Sequence, residues 1–149
     1  MTGALALLSP GAAQATALAG LHARAFAGQS RAWDAAEFAA LLDSAPVFAL
    51  GGPRAFALGR VIADEAELLT LATDPACRRQ GLARACLAGF EDEARRRGAT
   101  QAFLEVAETN GAAVALYLSA GYRLGARRNG YYRMADGTRA DALVLTKTL

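Results

Sequence analysis

Residues 78–84, RRQGLAR, stand where an apolar, strand-like run gives way to a helical pattern. The first backbone N–H groups of a helix have no partner within that helix, and its dipole places partial positive charge there, so such a junction binds anions. Small side chains at Gly81 and Ala83 would let phosphate oxygens approach the backbone. Positive charge is supplied by three side chains, Arg78, Arg79 and Arg84. The predicted ligand of this junction is a pyrophosphate.

Glu105 is the first candidate for proton transfer. It is set among apolar residues in the strand-like segment TQAFLEVAETN, just before a break at Thr109-Asn110-Gly111. Desolvation at such a position is expected to raise the pKa of the carboxyl group, which suits a general base. A solvated or arginine-paired carboxylate is the alternative. For Asn110, the residue type alone indicates an Asx turn or a helix cap, which is compatible with ligand binding.

The elements that must position these groups are predicted from periodicity and turn signals. Helices are expected over 13–27, with His22 in a structural role, and over 32–44, with Asp34 as cap; three antiparallel strands are expected within 46–74. The next helix is expected from about Gly81 to Gly98, with an apolar face of Leu82, Cys86, Leu87 and Phe90 and an outward face of Arg84, Glu91 and Arg95. A short helix containing Tyr117 and closed by Gly121, then a hairpin turned by Asp136-Gly137, complete the pattern.

Length and composition bound the class of protein. A chain of 149 residues, 54% hydrophobic and 20% charged, indicates a single globular domain over residues 1–149. Its net charge of +2 falls well short of the basic surplus of a dedicated nucleic-acid binder. The opening MTGALALLSP lacks a basic residue before its short apolar run, so neither a signal peptide nor a membrane segment is expected, and the expected location is the cytoplasm. Cys77 and Cys86 are expected to be free thiols, and no metal motif is present.

The six residues RRQGLA at 78–83 resemble the Q/R-x-x-G-x-G/A acetyl-CoA motif of the GNAT N-acetyltransferase superfamily, whereas the Walker pattern GxxxxGK(S/T) and the Rossmann pattern GxGxxG are absent. The resemblance extends from about Phe48 to Leu149 and includes FLEVAETNGAAVALYLSAGY and RRNGYYRMADGTRADALVL. Within the superfamily these segments resemble the RimI-like, ribosomal-protein alanine N-acetyltransferases. The first forty-odd residues match less specifically, through LHARAF and RAWDAAEF.

This resemblance implies an α/β GNAT fold, in which a mixed, mainly antiparallel central sheet carries helices on both faces and is splayed where acetyl-CoA enters. It implies that Glu105 is the general base and that Tyr117, which by itself is more simply a core residue, protonates the CoA thiolate. It also implies a set of acetyl-CoA contacts: Leu71, Ala72, Thr73, Arg78, Arg79, Gln80, Gly81, Leu82, Ala83, Arg84 and Asn110. Two departures from the family pattern are Ala83 in place of a second glycine, and Ala32 before Trp33 where a proline is usual.

The segment RRNGYY at 127–132 resembles the element with which protein N-terminal acetyltransferases hold the first peptide residues. Tyr131 and Tyr132 are therefore expected to bind substrate, although cross-strand packing in the hairpin is the alternative. An α-amine with a pKa near 8 is neutral far more often at pH 7 than a lysine with a pKa near 10.4. The free energy of deprotonation differs between them by roughly 3.4 kcal/mol. The pKa difference favours a protein N-terminal amine as the substrate, and the resemblance implies above all alanine on a small-subunit ribosomal protein. A small-molecule amine, a lysine side chain, and a non-catalytic CoA-binding or ribosome-associated module are the alternatives.

Overall fold

The computed structural model describes residues 5–29 and 31–149, so that residues 1–4 of the apolar opening considered above lie outside the described residues. A seven-stranded sheet runs through this part of the chain in the order β1-β2-β3-β4-β5-β7-β6. All neighbouring strands are antiparallel except β4 and β5, which are parallel. The strands are β1 Ala6–Leu7, β2 Val47–Gly51, β3 Ala55–Ile62, β4 Glu65–Thr73, β5 Gln101–Ala107, β6 Arg123–Arg133 and β7 Arg139–Thr148.

Helices cover both faces of this sheet, as the sequence predicts. Those in the described ranges are α1 Ala12–Ala25, α2 Ala35–Leu42, α3 Leu82–Arg96 and α4 Gly111–Ser119. Helices α1 and α2 bury one hydrophobic cluster against the sheet, centred on Leu18, Phe38 and Phe56. Helices α3 and α4 share a second cluster with the opposite face, centred on Phe90, Leu104 and Tyr117. Within the described residues, no helix is both long enough and apolar enough to cross a membrane.

Local signals set the ends of several elements. Asp34 accepts a hydrogen bond from the Glu37 backbone N–H, and the Glu37 side chain accepts one from the Asp34 N–H, which makes the reciprocal capping box that favours a helix start. After α3 and α4, Gly98 and Gly121 have φ values of 95° and 100°. Residues other than glycine rarely adopt this left-handed conformation, so the two glycines end these helices as predicted.

The prediction that Glu91 faces outward is wrong. The residue is 7% exposed, and the Lys147 ammonium donates to both carboxylate oxygens at 2.9 and 3.0 Å. Helical periodicity places Glu91 next to buried Phe90, at the edge of the apolar face, where the long Lys147 side chain from β7 covers it. Burial of this carboxylate thus depends on a partner from the far end of the chain, because a buried charge needs a counter-ion.

Strands β4 and β5 separate partway along their length. They pair only from Glu65 opposite Gln101 to Leu68 opposite Leu104. Beyond these pairs β4 continues beside β3 to Thr73, and β5 continues beside β7 to Ala107. The middle of the sheet therefore opens into a cleft between the two strands, which is the splay expected of the fold.

A β-bulge lies at the point where the cleft begins. Gly59 of β3 pairs with Leu68 and Leu58 pairs with Thr70, which leaves Leu69 as an extra residue in β4. An extra residue reverses the faces to which the following side chains point. Leu68 packs in the α3–α4 cluster, whereas Ala72 packs in the α1–α2 cluster. Thr70, between them in sequence, consequently points toward α1.

Candidate active site

The loop from β4 to α3 forms one wall of a groove of about 610 Å³. Gly81 is the N-cap of α3 with φ 75°, and no side chain caps the helix, so the first-turn N–H groups remain available to a ligand. Ten of the predicted acetyl-CoA contacts line this groove: Leu71, Ala72, Thr73, Arg78, Arg79, Gly81, Leu82, Ala83, Arg84 and Asn110. Gln80 is not among the lining residues. The groove therefore has the uncapped helix end and the positive charge that a pyrophosphate requires.

Two arginines of the loop also hold the groove together. The Arg84 guanidinium donates to the Ser119 hydroxyl at 2.7 Å and so connects the start of α3 to the end of α4. The Arg78 guanidinium donates to the Ala25 carbonyl oxygen at 3.3 Å, at the end of α1. These contacts fix the separation of the groove walls while leaving both positive charges beside the helix N-terminus.

A smaller cavity of about 120 Å³ adjoins the groove on the other side of the cleft. Both spaces share a set of lining residues, Phe26, Gln29, Leu71, Asn110, Ala113 and Tyr117. The smaller cavity adds Glu105 and Tyr132. A ligand lying along the groove can thus present its end to a second molecule held in the smaller cavity, with Tyr117 beside both.

Glu105 lies on β5 just beyond the last pair with β4, so its side chain stands at the cleft. The Arg128 guanidinium from β6 lies 3.2 Å from a Glu105 carboxylate oxygen, and the Glu105 side chain is 24% exposed. The arginine-paired alternative for Glu105 is thus present in the structure together with its place in the cavity. The ion pair holds the carboxylate at the cavity wall, where it can accept a proton.

Tyr117 is buried on α4 and its ring packs edge-on against Tyr122, with ring centroids 5.9 Å apart. Burial raises the pKa of Tyr117, which keeps its hydroxyl protonated at neutral pH. Desolvation acts on thiols in the same direction, since burial raises the pKa of Cys86 to about 11. A raised pKa makes Tyr117 a weaker acid, and the same desolvation acting on a thiolate beside it would offset this by raising the thiolate's affinity for a proton.

The two adjacent tyrosines of β6 differ in position. Tyr132 lines the smaller cavity, and burial followed by the nearby Glu105 charge raises its pKa to about 12. Tyr131 is 50% exposed, lines neither cavity, and packs edge-on against Tyr132 at 5.2 Å. A register shift in β6 between Arg128 and Tyr132 turns the strand here, and the Gly130 N–H donates to the Asp141 carboxylate at 2.8 Å within it.

Asn110 caps α4, because its side-chain oxygen accepts a hydrogen bond from the Ala113 N–H at 3.2 Å. The capping role left open by the sequence is confirmed, and Asn110 also lines both cavities. Cys77 lines the groove and Cys86 is buried in the core; both are free thiols.

Three cavity residues have no signal in the sequence that points to a site: His22, Trp33 and Thr70. The Trp33 backbone N–H donates to His22 Nδ1 at 3.2 Å, and His22 Nε2 lies 3.1 Å from Thr70 Oγ1. The His22 ring stacks on Phe26 at 4.2 Å. His22 is buried as a structural residue would be, yet it also forms part of the cavity wall. The bulge in β4 directs Thr70 toward α1 and so brings it to His22.

The cleft in the sheet, the uncapped α3 N-terminus and the paired cavities are those of an acyl-CoA-dependent transferase fold, and sequence comparison agrees. The model of the acetyltransferase (GNAT) family matches residues 17–122, and the chain belongs to this family. The chain is similar to the ribosomal protein bS18-alanine N-acetyltransferase of Escherichia coli strain K12, with 44% identity over 95 residues. That match spans 64% of this chain and 64% of the relative, which is less than two thirds of the relative's length.

Solved structures extend the likeness over the whole fold. The crystal structure of the ribosomal-protein-S18-alanine N-acetyltransferase from Escherichia coli superposes with a TM-score of 0.83 at 34% identity, covering 97% of this chain and 94% of that one. Arabidopsis thaliana NAA60, solved in complex with acetyl-CoA, superposes with a TM-score of 0.80 at 15% identity, covering 98% of this chain and 99% of that one. The second likeness supports the fold.

Proposed function

We propose that this chain transfers the acetyl group of acetyl-CoA to the α-amine of a protein N-terminus, with the N-terminal alanine of a small-subunit ribosomal protein as the first candidate substrate. The observation that carries the proposal is the meeting of the groove and the smaller cavity at Tyr117, with Glu105 on the cavity wall. The name of the Escherichia coli relative supports the choice of substrate. Such a substrate would place the enzyme in the cytoplasm.

Binding of acetyl-CoA is assigned to the groove. The uncapped N–H groups at the start of α3 would bind the pyrophosphate, with Arg79 and Arg84 adding charge. The edge of β4 at Leu71–Thr73 has lost its partner strand to the cleft, so its backbone groups on that side can hydrogen-bond an extended pantetheine arm. Acetyl-CoA supplies an activated thioester, and the arm directs it toward Tyr117.

Two side chains of the chain then move protons. The substrate amine attacks the thioester carbonyl carbon, the C–N bond forms and the C–S bond breaks. Glu105 accepts the proton released by the amine, and the Tyr117 hydroxyl donates a proton to the departing sulfur. Arg128 holds Glu105 in place through the 3.2 Å ion pair, and Tyr132 contacts the first substrate residue from the cavity wall.

The test is acetylation of a peptide panel followed by mass spectrometry. We expect rapid α-amine acetylation of a peptide with a free N-terminal alanine, and slow reaction of a peptide that is blocked at its N-terminus and carries one internal lysine. Glu105→Gln should lower kcat by about 10²- to 10⁴-fold while acetyl-CoA affinity is retained. Preferred acetylation of lysine or of a polyamine would contradict the substrate assignment, and acetyl-CoA binding without any product would favour a non-catalytic module.

A further inference from the structure

Thr70 and His22 form a hydrogen-bonded pair in the wall of the smaller cavity, and the proton transfers described above use neither. His22 Nδ1 accepts the Trp33 N–H, so in the neutral ring the proton must reside on Nε2. Burial lowers the pKa of His22 to about 4, and the ring is therefore neutral near pH 7. His22 Nε2–H consequently donates to Thr70 Oγ1 across 3.1 Å.

This donation leaves the Thr70 hydroxyl with its own proton to donate. A hydroxyl has one donor and two acceptor positions, and His22 occupies one of the acceptor positions. Within residues 5–29 and 31–149, His22 is the side-chain partner of Thr70 Oγ1. The residue is only 8% exposed, and a hydroxyl so buried is expected to find an acceptor. Because Thr70 lines the smaller cavity, a ligand there can supply that acceptor.

Thr70 and Glu105 stand on opposite sides of the cleft. Thr70 lies two residues beyond Leu68, the last β4 residue paired with β5, and Glu105 directly follows Leu104, the last β5 residue paired with β4. One side of the cavity thus offers a hydroxyl donor and the other a carboxylate acceptor. The first residue of a peptide matches both, because its amine donates and its main-chain carbonyl, one carbon away, accepts. The amine of a lysine side chain or of a polyamine has no carbonyl at that position.

We propose that the Thr70 hydroxyl, oriented by His22, donates a hydrogen bond to the main-chain carbonyl of the first substrate residue and so selects a peptide α-amine over an amine without an adjacent carbonyl. This rests on the proposed function and adds to it a specificity contact. Thr70 touches the substrate. His22 acts through Thr70 and is a positioning residue.

The experiment removes the two partners separately. The substrates are an alanine peptide and its analogue in which a trans-alkene replaces the amide between the first two residues, which removes the carbonyl but keeps the shape. Thr70→Val removes the hydroxyl with little change in volume, and Thr70→Ser retains it. In Thr70→Val, the loss of one neutral hydrogen bond should lower kcat/KM for the alanine peptide by roughly 3- to 10-fold. The kcat/KM for the alkene analogue should stay nearly unchanged. Thr70→Ser should retain the wild-type kcat/KM for the alanine peptide.

His22→Phe tests the positioning role. The ring still stacks on Phe26 but no longer donates to Thr70. The preference for the alanine peptide over the alkene analogue should fall, and adding Thr70→Val should lower it no further, because both changes remove the same contact. Thr146→Val, on β7 outside both cavities, is the matched control for replacing a strand threonine. Melting temperature and acetyl-CoA affinity show that each variant folds and binds its cosubstrate.

Three results would overturn the inference. If Thr70→Val lowers kcat/KM equally for both substrates, Thr70 supports the cavity without contacting the carbonyl. If the substrate preference is the same in Thr70→Val and wild type, the hydroxyl does not read the substrate. If wild-type protein leaves the alanine peptide unacetylated at its α-amine, the proposed function fails as well, and that outcome is distinguishable because it appears before any variant is compared.

Discussion

Tyr117 and Tyr122 allow one chemical change to be tested at two neighbouring sites. Their rings pack edge-on with centroids 5.9 Å apart, and both residues are buried. Tyr117 lines both cavities, whereas Tyr122 packs in the α3–α4 cluster away from them. Within the described residues, the Tyr122 hydroxyl lies near the Glu91 carboxylate without reaching hydrogen-bond geometry. Tyrosine to phenylalanine should therefore affect catalysis at one site and stability at the other.

The expected magnitudes follow from these positions. Tyr117→Phe removes the proposed proton donor, and kcat should fall by about 10²- to 10⁴-fold, which raises the barrier by roughly 2.7 to 5.4 kcal/mol. Tyr122→Phe removes a buried hydroxyl without a partner, a group that costs about 1 to 3 kcal/mol. Part of that gain is lost with the hydroxyl's packing contacts, so we expect about 1 kcal/mol of added stability, or about 2 to 4 °C in Tm.

Three measurements decide the outcome: kcat at saturating acetyl-CoA and alanine peptide, Tm by thermal denaturation, and acetyl-CoA affinity by calorimetry. Tyr117→Phe should lose activity with Tm and affinity retained, and Tyr122→Phe should keep its activity. The reasoning is refuted if both variants lose kcat alike. It is also refuted if Tyr117→Phe stays within about threefold of wild type when chemistry limits turnover.

Three further predictions concern the helix N-terminus, the buried histidine and the tyrosines of β6. An added Cβ at Gly81 meets no atom within 4 Å, so Gly81→Ala should lower the free energy of unfolding only by the roughly 1 to 2 kcal/mol that a left-handed backbone costs. Gly81→Asp should in addition repel the pyrophosphate and weaken acetyl-CoA binding. If calorimetry gives equal acetyl-CoA affinities for the two variants, the site lies elsewhere. His22 has a pKa near 6.5 in the unfolded chain and about 4 in the folded protein, so the free energy of unfolding should decrease as pH falls through that window. Denaturation experiments at pH 6.5 and pH 4.5 should show a smaller difference in the free energy of unfolding for His22→Phe than for the wild-type protein. Tyr132→Ala should raise the peptide KM more than Tyr131→Ala does, with acetyl-CoA affinity unchanged in both; the opposite order would mean that the exposed ring contacts the peptide.

Local signals in the chain were sufficient for much of the fold and for the loop that lines the larger groove. Asp34, Gly98 and Gly121 act on neighbouring residues through a cap or a left-handed turn. The helix ends that they set can therefore be predicted from a few consecutive residues. The loop at 78–84 is equally local, since the arginines, the glycine and the start of the helix adjoin one another. The family match, over residues 17–122, includes this same continuous stretch.

Residues whose surroundings come from distant parts of the chain could not be placed in this way. Glu91 is buried because Lys147, from the last strand, reaches it. Glu105 is held by Arg128 from β6. From the sequence, an arginine-paired carboxylate was only an alternative to the general base, and no arginine could be assigned to it. Tyr131 and Tyr132 are adjacent in sequence yet occupy different surroundings, and they lie where the register of β6 against β7 shifts, between Arg128 and Tyr132.

By itself, the sequence determined the order and type of the elements from α1 onward, the glycine and arginines at the start of α3, and the resemblance to the acetyltransferase family. These depend on periodicity, on capping and on the chemistry of adjacent residues. The tertiary structure alone decided the smaller cavity. A bulge exists only relative to a partner strand, and the extra residue Leu69 turns Thr70 toward His22 just where β4 leaves β5. Side-chain direction in a sheet reverses with each residue of register, so which groups face the cleft is fixed only once the strands have paired.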